Sequence, residues 1–301
     1  MTYSIIARDD RTGQMGVATQ SQAFAVGSSV PWALPGYGVI ATQSMGEPMY
    51  GDLGLDSLRA GLTAAEALTA LRSVDPHPER RQVAMADGYG NFDVYTGDAC
   101  VPVAGHRLGD GCAALANMVV SEAVWDAMVQ AWESTGDRTM PERLVAALHA
   151  AEDAGGDFRG RRSAALLVVR ARRTGRPWRD QLVDLRVDDH DEPVVQLDRL
   201  MRRNHRYHVT VEAFDLALGG HAAKAVERLA DIPDPDPAGD PDVTLWTAIV
   251  FALAGEDDQA RTLFGRLGDV APQFIEAARR FNRVGLVPQP ERLEALLPDA
   301  S

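Results

Sequence analysis

The chain has 301 residues, 46% hydrophobic and 24% charged, as expected of a globular protein with one large domain and one small one. Its formal net charge is -13, and an acidic surface repels phosphate groups. We therefore expect neither nucleic acid nor an anionic membrane as a partner. Two cysteines, Cys100 and Cys112, are too few for a disulfide framework and lack zinc-site spacing. No glycine-rich nucleotide-binding motif occurs either, and we predict no metal and no other cofactor.

The start of the chain does not read as an export signal. It lacks the basic residues and the long apolar run of a signal peptide. The longest apolar stretch, residues 245–254, is too short to cross a bilayer. We expect a cytoplasmic protein.

In residues 1–206, apolar residues recur with the period of strands in some segments and with the period of helices in others, and these segments form separate blocks. Strands are predicted over residues 2–8, 14–20, 38–45, 82–87, 92–96, 164–169 and 182–187, and helices over 51–73, 121–133, 141–153 and 193–203. A capping box from Thr63 to Glu66 starts a second helix inside the first of these helical stretches. Blocks of strands followed by helices favour two packed sheets with helices outside, an α+β fold.

Residues 207–301 are predicted to form a small helical extension. Helices over 211–229, 243–254, 257–267 and 272–284 flank a segment rich in proline and aspartate, 232–242, and residues 204–208 read as the connection to the first domain. The spacing and the small residues are similar to a tetratricopeptide repeat. We expect the apolar stripe of Leu245, Ile249, Leu253, Leu263 and Phe264 to be buried within the chain or across a homodimer.

Several motifs in residues 1–203 resemble the DUF1028 family. They are the opening TYSIIARD, FAVG at 24–27, ATQS at 41–44 leading to PMYG, GDFRGRRSAALLVV at 156–169 and VDDH at 187–190. The resemblance implies a four-layer αββα sandwich of the Ntn-hydrolase type. The tail resembles an extension that some members carry, sometimes labelled peptidoglycan-binding; a cytoplasmic chain would not meet peptidoglycan.

One loop departs from the family pattern. Where members typically have Gln-Gly-Asn before a helix, this chain has Leu115-Ala116-Asn117. The asparagine is kept, while the glutamine and the glycine are lost.

The superfamily resemblance gives Thr2 a candidate catalytic role. An Ntn hydrolase uses the hydroxyl or thiol of its first mature residue as nucleophile, and the free α-amine, which titrates near 8, as base. Thr2 meets this requirement once Met1 is removed, which is common before a small residue. The alternative is an ordinary strand threonine. Ser4, one pleat period on, would orient Thr2 or be an ordinary strand serine.

Further polar residues are candidates for binding the substrate. Gln20, Ser21, Gln43, Ser44 and Asn117 lie at strand ends or in loops, where they would stabilise an oxyanion or simply satisfy a sheet edge. Asp157, Arg159 and Arg161 form a polar loop before a buried strand. Arginine suits carboxylate recognition, but ion pairs that anchor the strand would use the same residues.

The sequence therefore predicts a hydrolase of an amide or related C–N bond in a small-molecule substrate, with Thr2 as nucleophile. The alternative is a non-catalytic ligand-binding or scaffold protein that keeps the fold. The altered triplet at 115–117 favours this second reading slightly.

Overall fold

The computed structural model describes residues 2–298, and the chain divides into two compact units, Met1–Met201 and Arg202–Ser301. Its strands are β1 (Thr2–Arg8), β2 (Met15–Ser21), β3 (Pro31–Leu34), β4 (Gly38–Ser44), β5 (Arg81–Asp87), β6 (Phe92–Thr96), β7 (Gly105–Gly109), β8 (Cys112–Asn117), β9 (Ser163–Val169) and β10 (Gln181–Val187). Its helices are α1 (Met49–Arg59), α2 (Ala64–Val74), α3 (Ala123–Ser134), α4 (Met140–Asp153), α5 (Pro177–Asp180), α6 (Pro193–Leu218), α7 (Ala222–Leu229), α8 (Pro241–Ala254), α9 (Asp257–Val270), α10 (Pro272–Arg283) and α11 (Pro290–Glu294). The predicted α+β class is confirmed.

Two antiparallel sheets form the centre of the first unit. One has six strands in the order β10-β9-β2-β1-β8-β7, and the other has four in the order β3-β4-β5-β6. Because strand side chains alternate, each sheet has two faces. The facing surfaces share a core that includes Ile6, Val17, Val39 and Ala84.

Helix pairs cover the two outer faces. Tyr3 and Ile5, on the outer face of the six-stranded sheet, pack with α3 and α4. Ile40, in the four-stranded sheet, packs with Leu68 of α2. The layers therefore run helices, sheet, sheet, helices. The capping box at Thr63 is formed, with Glu66 donating its backbone N–H to the Thr63 hydroxyl and accepting from the Thr63 N–H.

The second unit has a core of its own. The predicted stripe of Leu245, Ile249, Leu253, Leu263 and Phe264 is buried in one cluster with residues of α7, α10 and α11. The predicted connection at 204–208 is wrong, because α6 continues through it to Leu218. No glycine or proline stands between Pro193 and Gly219 to end the helix, so the predicted domain boundary between 206 and 207 falls inside it.

Across residues 2–298, no helix combines the length and the apolar character that crossing a membrane requires. Both cysteines are buried and unpaired. The pKa of the Cys112 thiol is raised to about 12, mainly by burial and to a smaller extent by the nearby Glu133 carboxylate. The thiol is therefore unreactive at neutral pH.

A buried ion pair holds the start of β5 against the end of α2. Asp75 accepts hydrogen bonds from Arg81 Nε at 2.8 Å and from the Tyr50 hydroxyl at 3.0 Å. The Arg81 guanidinium lowers the pKa of the Asp75 carboxyl to about 2. Arg81 Nη1 also donates to the carbonyl of Met45, 2.5 Å away, which ties the end of β4 to the same point.

We expect this carboxyl to make stability depend on pH at the acid end. Its folded pKa lies below its usual value, so its contribution of about 2 kcal/mol is complete above pH 4 and is lost as the pH falls toward 2. Urea unfolding should show Asp75→Asn less stable than wild type at pH 7, with a smaller difference at pH 3. Asp56→Asn, in an exposed ion pair, is the control. An Asp75→Asn deficit that stays constant between the two pH values would contradict the assignment.

Candidate functional site

Polar side chains line the space between the two sheets at one end of the first unit. Thr2 pairs with Ser21 on one side and Asn117 on the other, and Gln43 pairs with Gln82 in the facing sheet. Their positions follow from alternation, because each lies an even number of residues from a side chain in the inter-sheet core. We call this set the polar layer; its members are Thr2, Ser4, Thr19, Ser21, Gln43, Gln82 and Asn117. All are buried.

Gln82 lies at the centre of the polar layer. Its Nε2 donates to the carbonyls of Gly105 at 3.0 Å and Ala116 at 2.9 Å, and to Thr96 Oγ1 at 3.0 Å. Its Oε1 accepts from Gln43 Nε2 at 2.7 Å and from Asn117 Nδ2 at 3.0 Å. Since carbonyls only accept, they fix which end of the Gln82 amide is the donor.

The same reasoning fixes the other two amides. Gln43 Nε2 donates to the carbonyls of Thr2 at 3.1 Å and Leu115 at 3.2 Å. Asn117 Nδ2 faces the carbonyl of Thr2 at 3.4 Å as well as Gln82 Oε1. Its other atom, Oδ1, is buried and has no hydrogen-bond partner among residues 2–298. Asn117 therefore presents an unused acceptor on the strand next to Thr2.

Thr2 and Ser4 lie in the same polar layer but have different hydrogen-bond partners. The Thr2 hydroxyl lies 3.2 Å from Ser21 Oγ, and Ser21 Oγ also accepts from the N–H of Ala23 at 3.0 Å. The Ser4 hydroxyl instead donates to Gln43 Oε1 at 2.6 Å and lies 2.8 Å from Thr19 Oγ1. Ser4 therefore orients Gln43, whose amide in turn holds the main chain of Thr2.

The immediate partners of the polar layer's hydroxyls and amides are neutral. Those given above for Thr2, Ser4, Gln43, Gln82 and Asn117 are hydroxyls, amides and backbone carbonyls. The nearest titratable side chain in the hydrogen-bond chain is His106, whose Nδ1 lies 2.9 Å from Thr96 Oγ1. His106 is exposed, but partial desolvation of its imidazole lowers the pKa of His106 and favours the uncharged form.

Two of the predicted site residues point elsewhere. Gln20 is two residues after Ala18, so both side chains lie on the outer face of the sheet, away from the Thr2 side chain. Neither end of the buried Gln20 amide has a hydrogen-bond partner in the described chain. Ser44 is the next residue after Gln43, so its side chain lies on the opposite face of β4. The backbone of Ser44 has a positive φ of 71°. The structure thus brings Thr2, Ser4, Ser21, Gln43 and Asn117 together, and does not bring Gln20 or Ser44 to them.

The predicted polar loop that contains Asp157, Arg159 and Arg161 contacts the chain directly after Ser21 of the polar layer. Asp157 accepts from the N–H of Gln22 at 3.1 Å and from the N–H of Arg159 at 2.8 Å, so it fixes the chain just after Ser21. Arg161 is paired with Glu152 at 2.9 Å. Glu152 also accepts a hydrogen bond from the Tyr3 hydroxyl. The pKa of Tyr3 is raised, mainly by burial and then by the charge of the Glu152 carboxylate.

Within residues 2–298, no group of three or more His, Cys, Asp or Glu side chains has the arrangement of a metal site. The motif at 188–190 is used locally. The carbonyl of Asp188 accepts from the N–H of Ala25 at 3.0 Å, Asp189 lies 3.8 Å from Arg162, and His190 Nδ1 accepts from the N–H of Glu192 at 2.9 Å.

Gln82, Thr19 and Thr96 were not predicted as site residues. A usable signal exists in the sequence, because each of these is a polar residue two positions from a small or apolar residue that faces the other sheet. What the sequence does not supply is the pairing of strands, which brings Gln82 opposite Gln43 and Thr96.

The model of a family described as "Family of unknown function (DUF1028)" matches residues 2–197. The chain belongs to the DUF1028 family. A solved relative is the crystal structure of protein SPO2555 from Silicibacter pomeroyi, also a DUF1028 protein. It is 33% identical, with a TM-score of 0.60, and the alignment covers 66% of this chain and 87% of the relative. None of the curated proteins matches the chain.

The triplet Leu115-Ala116-Asn117 of this DUF1028 chain contributes to the polar layer. The carbonyls of Leu115 and Ala116 accept from Gln43 and Gln82, and only Asn117 contributes a polar side chain. Leu115 and Ala116 therefore act here through backbone groups.

Proposed function

We propose that this DUF1028 protein is an N-terminal-nucleophile hydrolase that cleaves an amide or related C–N bond of a small molecule. Thr2 supplies the nucleophilic hydroxyl, and its own α-amine, freed by removal of Met1, is the general base. The layered arrangement of helices, sheet, sheet and helices supports an Ntn-type sandwich, and the paired helices of the second unit support a tetratricopeptide-like extension.

The observation that carries this proposal is the neutral surroundings of Thr2. A hydroxyl nucleophile needs a base within hydrogen-bond reach. The neighbours of Thr2 in the described chain are Ser21, Gln43 and Asn117, and none of their side chains takes up a proton at neutral pH. An α-amine on Thr2 itself would supply the missing base, because such an amine titrates near 8.

The polar layer also offers a way to hold that amine. Gln43 and Asn117 both donate to the Thr2 carbonyl, which fixes its main chain. The unused Oδ1 of Asn117 is a buried acceptor on the adjacent strand, and an amine is a donor. In this proposal Asn117 orients the amine rather than the substrate oxyanion, since its donor end is already engaged.

The proposed reaction has two stages. The Thr2 hydroxyl oxygen attacks the substrate carbonyl carbon while the amine takes its proton; the C–N bond then breaks, the leaving nitrogen takes that proton, and an ester on Thr2 remains. Water, deprotonated by the same amine, then cleaves the ester and restores the hydroxyl. Asp157 accepts a hydrogen bond from the N–H of Gln22 and so orders the chain after Ser21. Arg159 and Arg161, on the same loop as Asp157, would contact the substrate.

Two measurements test this proposal. Intact mass of the protein from its native host should show complete loss of Met1. The kcat/KM for a small amide should then fall about tenfold per pH unit below the amine pKa near 8. Retention of Met1 on an active protein would overturn the assignment of the base.

The homodimer stays a prediction, which light scattering of the full chain tests.

A second candidate, a ligand-binding or scaffold protein, rests on the amide donors. Gln43, Gln82 and Asn117 all direct their N–H groups at backbone carbonyls, which leaves no free side-chain donor among them for an oxyanion. An amide, ureide and lactam screen without turnover, by protein that has lost Met1, would favour this candidate.

A further inference from the structure

A cavity of about 320 Å³ that is open to solvent on one side lies in the second unit, bounded by α7, α8, α9 and the proline- and aspartate-rich segment 232–235. Its volume is at the lower end of the range for small-molecule sites, roughly 300–1,000 Å³. Leu229, Phe251 and Leu263 form an apolar inner wall. The cavity belongs wholly to the helical extension, and the hydrolase proposed above does not use it.

A buried hydroxyl in this cavity lacks a partner. Thr247, on α8, is 3% exposed, lines the cavity, and its Oγ1 makes no hydrogen bond to any residue between 2 and 298. Thr244, one turn earlier and also buried, donates its hydroxyl to the carbonyl of Asp240 at 3.0 Å. Since the large majority of buried hydroxyls are hydrogen-bonded, the unused Thr247 hydroxyl is available to bond a ligand in this cavity.

A single water molecule is a poor candidate for that partner. A stable buried water needs two to four polar neighbours, roughly three on average. Among the lining residues, Leu229, Phe251 and Leu263 offer a water no hydrogen bond, and the polar side chains of Gln259 and Thr262 are exposed at the surface. A ligand that brings its own apolar surface together with one polar atom fits these walls better.

The mouth of the cavity carries charges of both signs. Asp234 and Asp258 supply carboxylates, and Arg266 supplies a guanidinium. Arg266 Nη2 donates to the carbonyl of Pro235 at 3.3 Å, and the described chain gives it no carboxylate partner. Asp258 lies 3.6 Å from Arg261 at the surface, and Asp234 has no ion pair in residues 2–298.

We propose that this cavity binds a free α-amino acid with a large side chain, tyrosine in preference to phenylalanine. The ligand's carboxylate pairs with Arg266, its ammonium with Asp234 or Asp258, and its side chain enters the apolar interior. The Thr247 hydroxyl bonds the polar atom at the end of that side chain. An amino acid of this kind carries both charges at one end and an apolar side chain at the other. It therefore complements a cavity with charges of both signs at its mouth and an apolar inner wall.

Calorimetry with the full chain tests the proposal, with tyrosine and phenylalanine as ligands. Tyramine lacks the carboxylate, 3-(4-hydroxyphenyl)propionate lacks the ammonium, and both should bind at least about tenfold more weakly than tyrosine. Arg266→Gln should weaken tyrosine by about tenfold, while Arg280→Gln, in an exposed ion pair on α10, should change nothing.

Thr247→Val separates a ligand contact from a structural role. It keeps the shape and removes the unpaired hydroxyl, so the unfolding midpoint should stay the same or rise. Affinity for tyrosine should fall about tenfold while that for phenylalanine is unchanged. The proposal is overturned if no amino acid binds, if tyramine binds as well as tyrosine, or if Arg266→Gln and Thr247→Val leave the tyrosine affinity unchanged.

Discussion

Thr2→Ala should abolish hydrolysis, lowering kcat/KM by at least about 10³-fold, because it removes the nucleophile and leaves the amine in place. Methionine is also removed before alanine, so the variant keeps the same N-terminus. Thr2→Ser should keep measurable turnover. Thr69→Ala, an exposed threonine on α2, is the matched control and should behave as wild type.

A readout that does not need the natural substrate makes this prediction sharper. A β-lactone acylates an activated hydroxyl and adds its whole mass to the protein, so intact mass and peptide mapping would place the adduct on Thr2. Thr2→Ala should give no adduct and should unfold at nearly the same urea concentration as wild type, since the hydroxyl makes one contact of 3.2 Å. An adduct that persists in the alanine variant would contradict Thr2 as nucleophile.

Local patterns were sufficient to predict the strands that carry Thr2 and Gln43. Strands β1, β2 and β4 alternate or are β-branched, and turn residues bound them, so the pattern of period two identifies them. Strand β8 reads CAALAN, which is rich in alanine and has little local preference for a strand. It is a strand because it pairs with β1 on one side and β7 on the other, and this information is not local.

The site was predictable as far as alternation reaches. Thr2 and Ser4 share a face by the two-residue period, and the structure places both in the polar layer. The same period indicates that the neighbours Gln20 and Ser21 cannot face one site, and in the structure only Ser21 meets Thr2. Gln82 needed the pairing of β4 with β5, which composition and spacing do not specify.

Gln82→Leu should lower the free energy of unfolding by about 4 kcal/mol, the largest stability effect that we expect in the polar layer. The change leaves the carbonyls of Gly105 and Ala116 and the amide groups of Gln43 and Asn117 buried with fewer partners. An unmet buried polar group costs about 1–3 kcal/mol, and several are created together. Urea unfolding at pH 7 measures the difference.

The same variant connects the polar layer to Thr2. Gln43 and Asn117, which bond Gln82 Oε1, are also the donors to the Thr2 carbonyl, so loss of Gln82 should loosen the position of the nucleophile. Lactone labelling of Thr2 should therefore slow even at temperatures where Gln82→Leu is fully folded. Gln130→Leu, exposed on α3, should change the free energy of unfolding by less than about 0.5 kcal/mol. Equal stability of the two leucine variants would show that the amide network around Gln82 contributes nothing beyond packing.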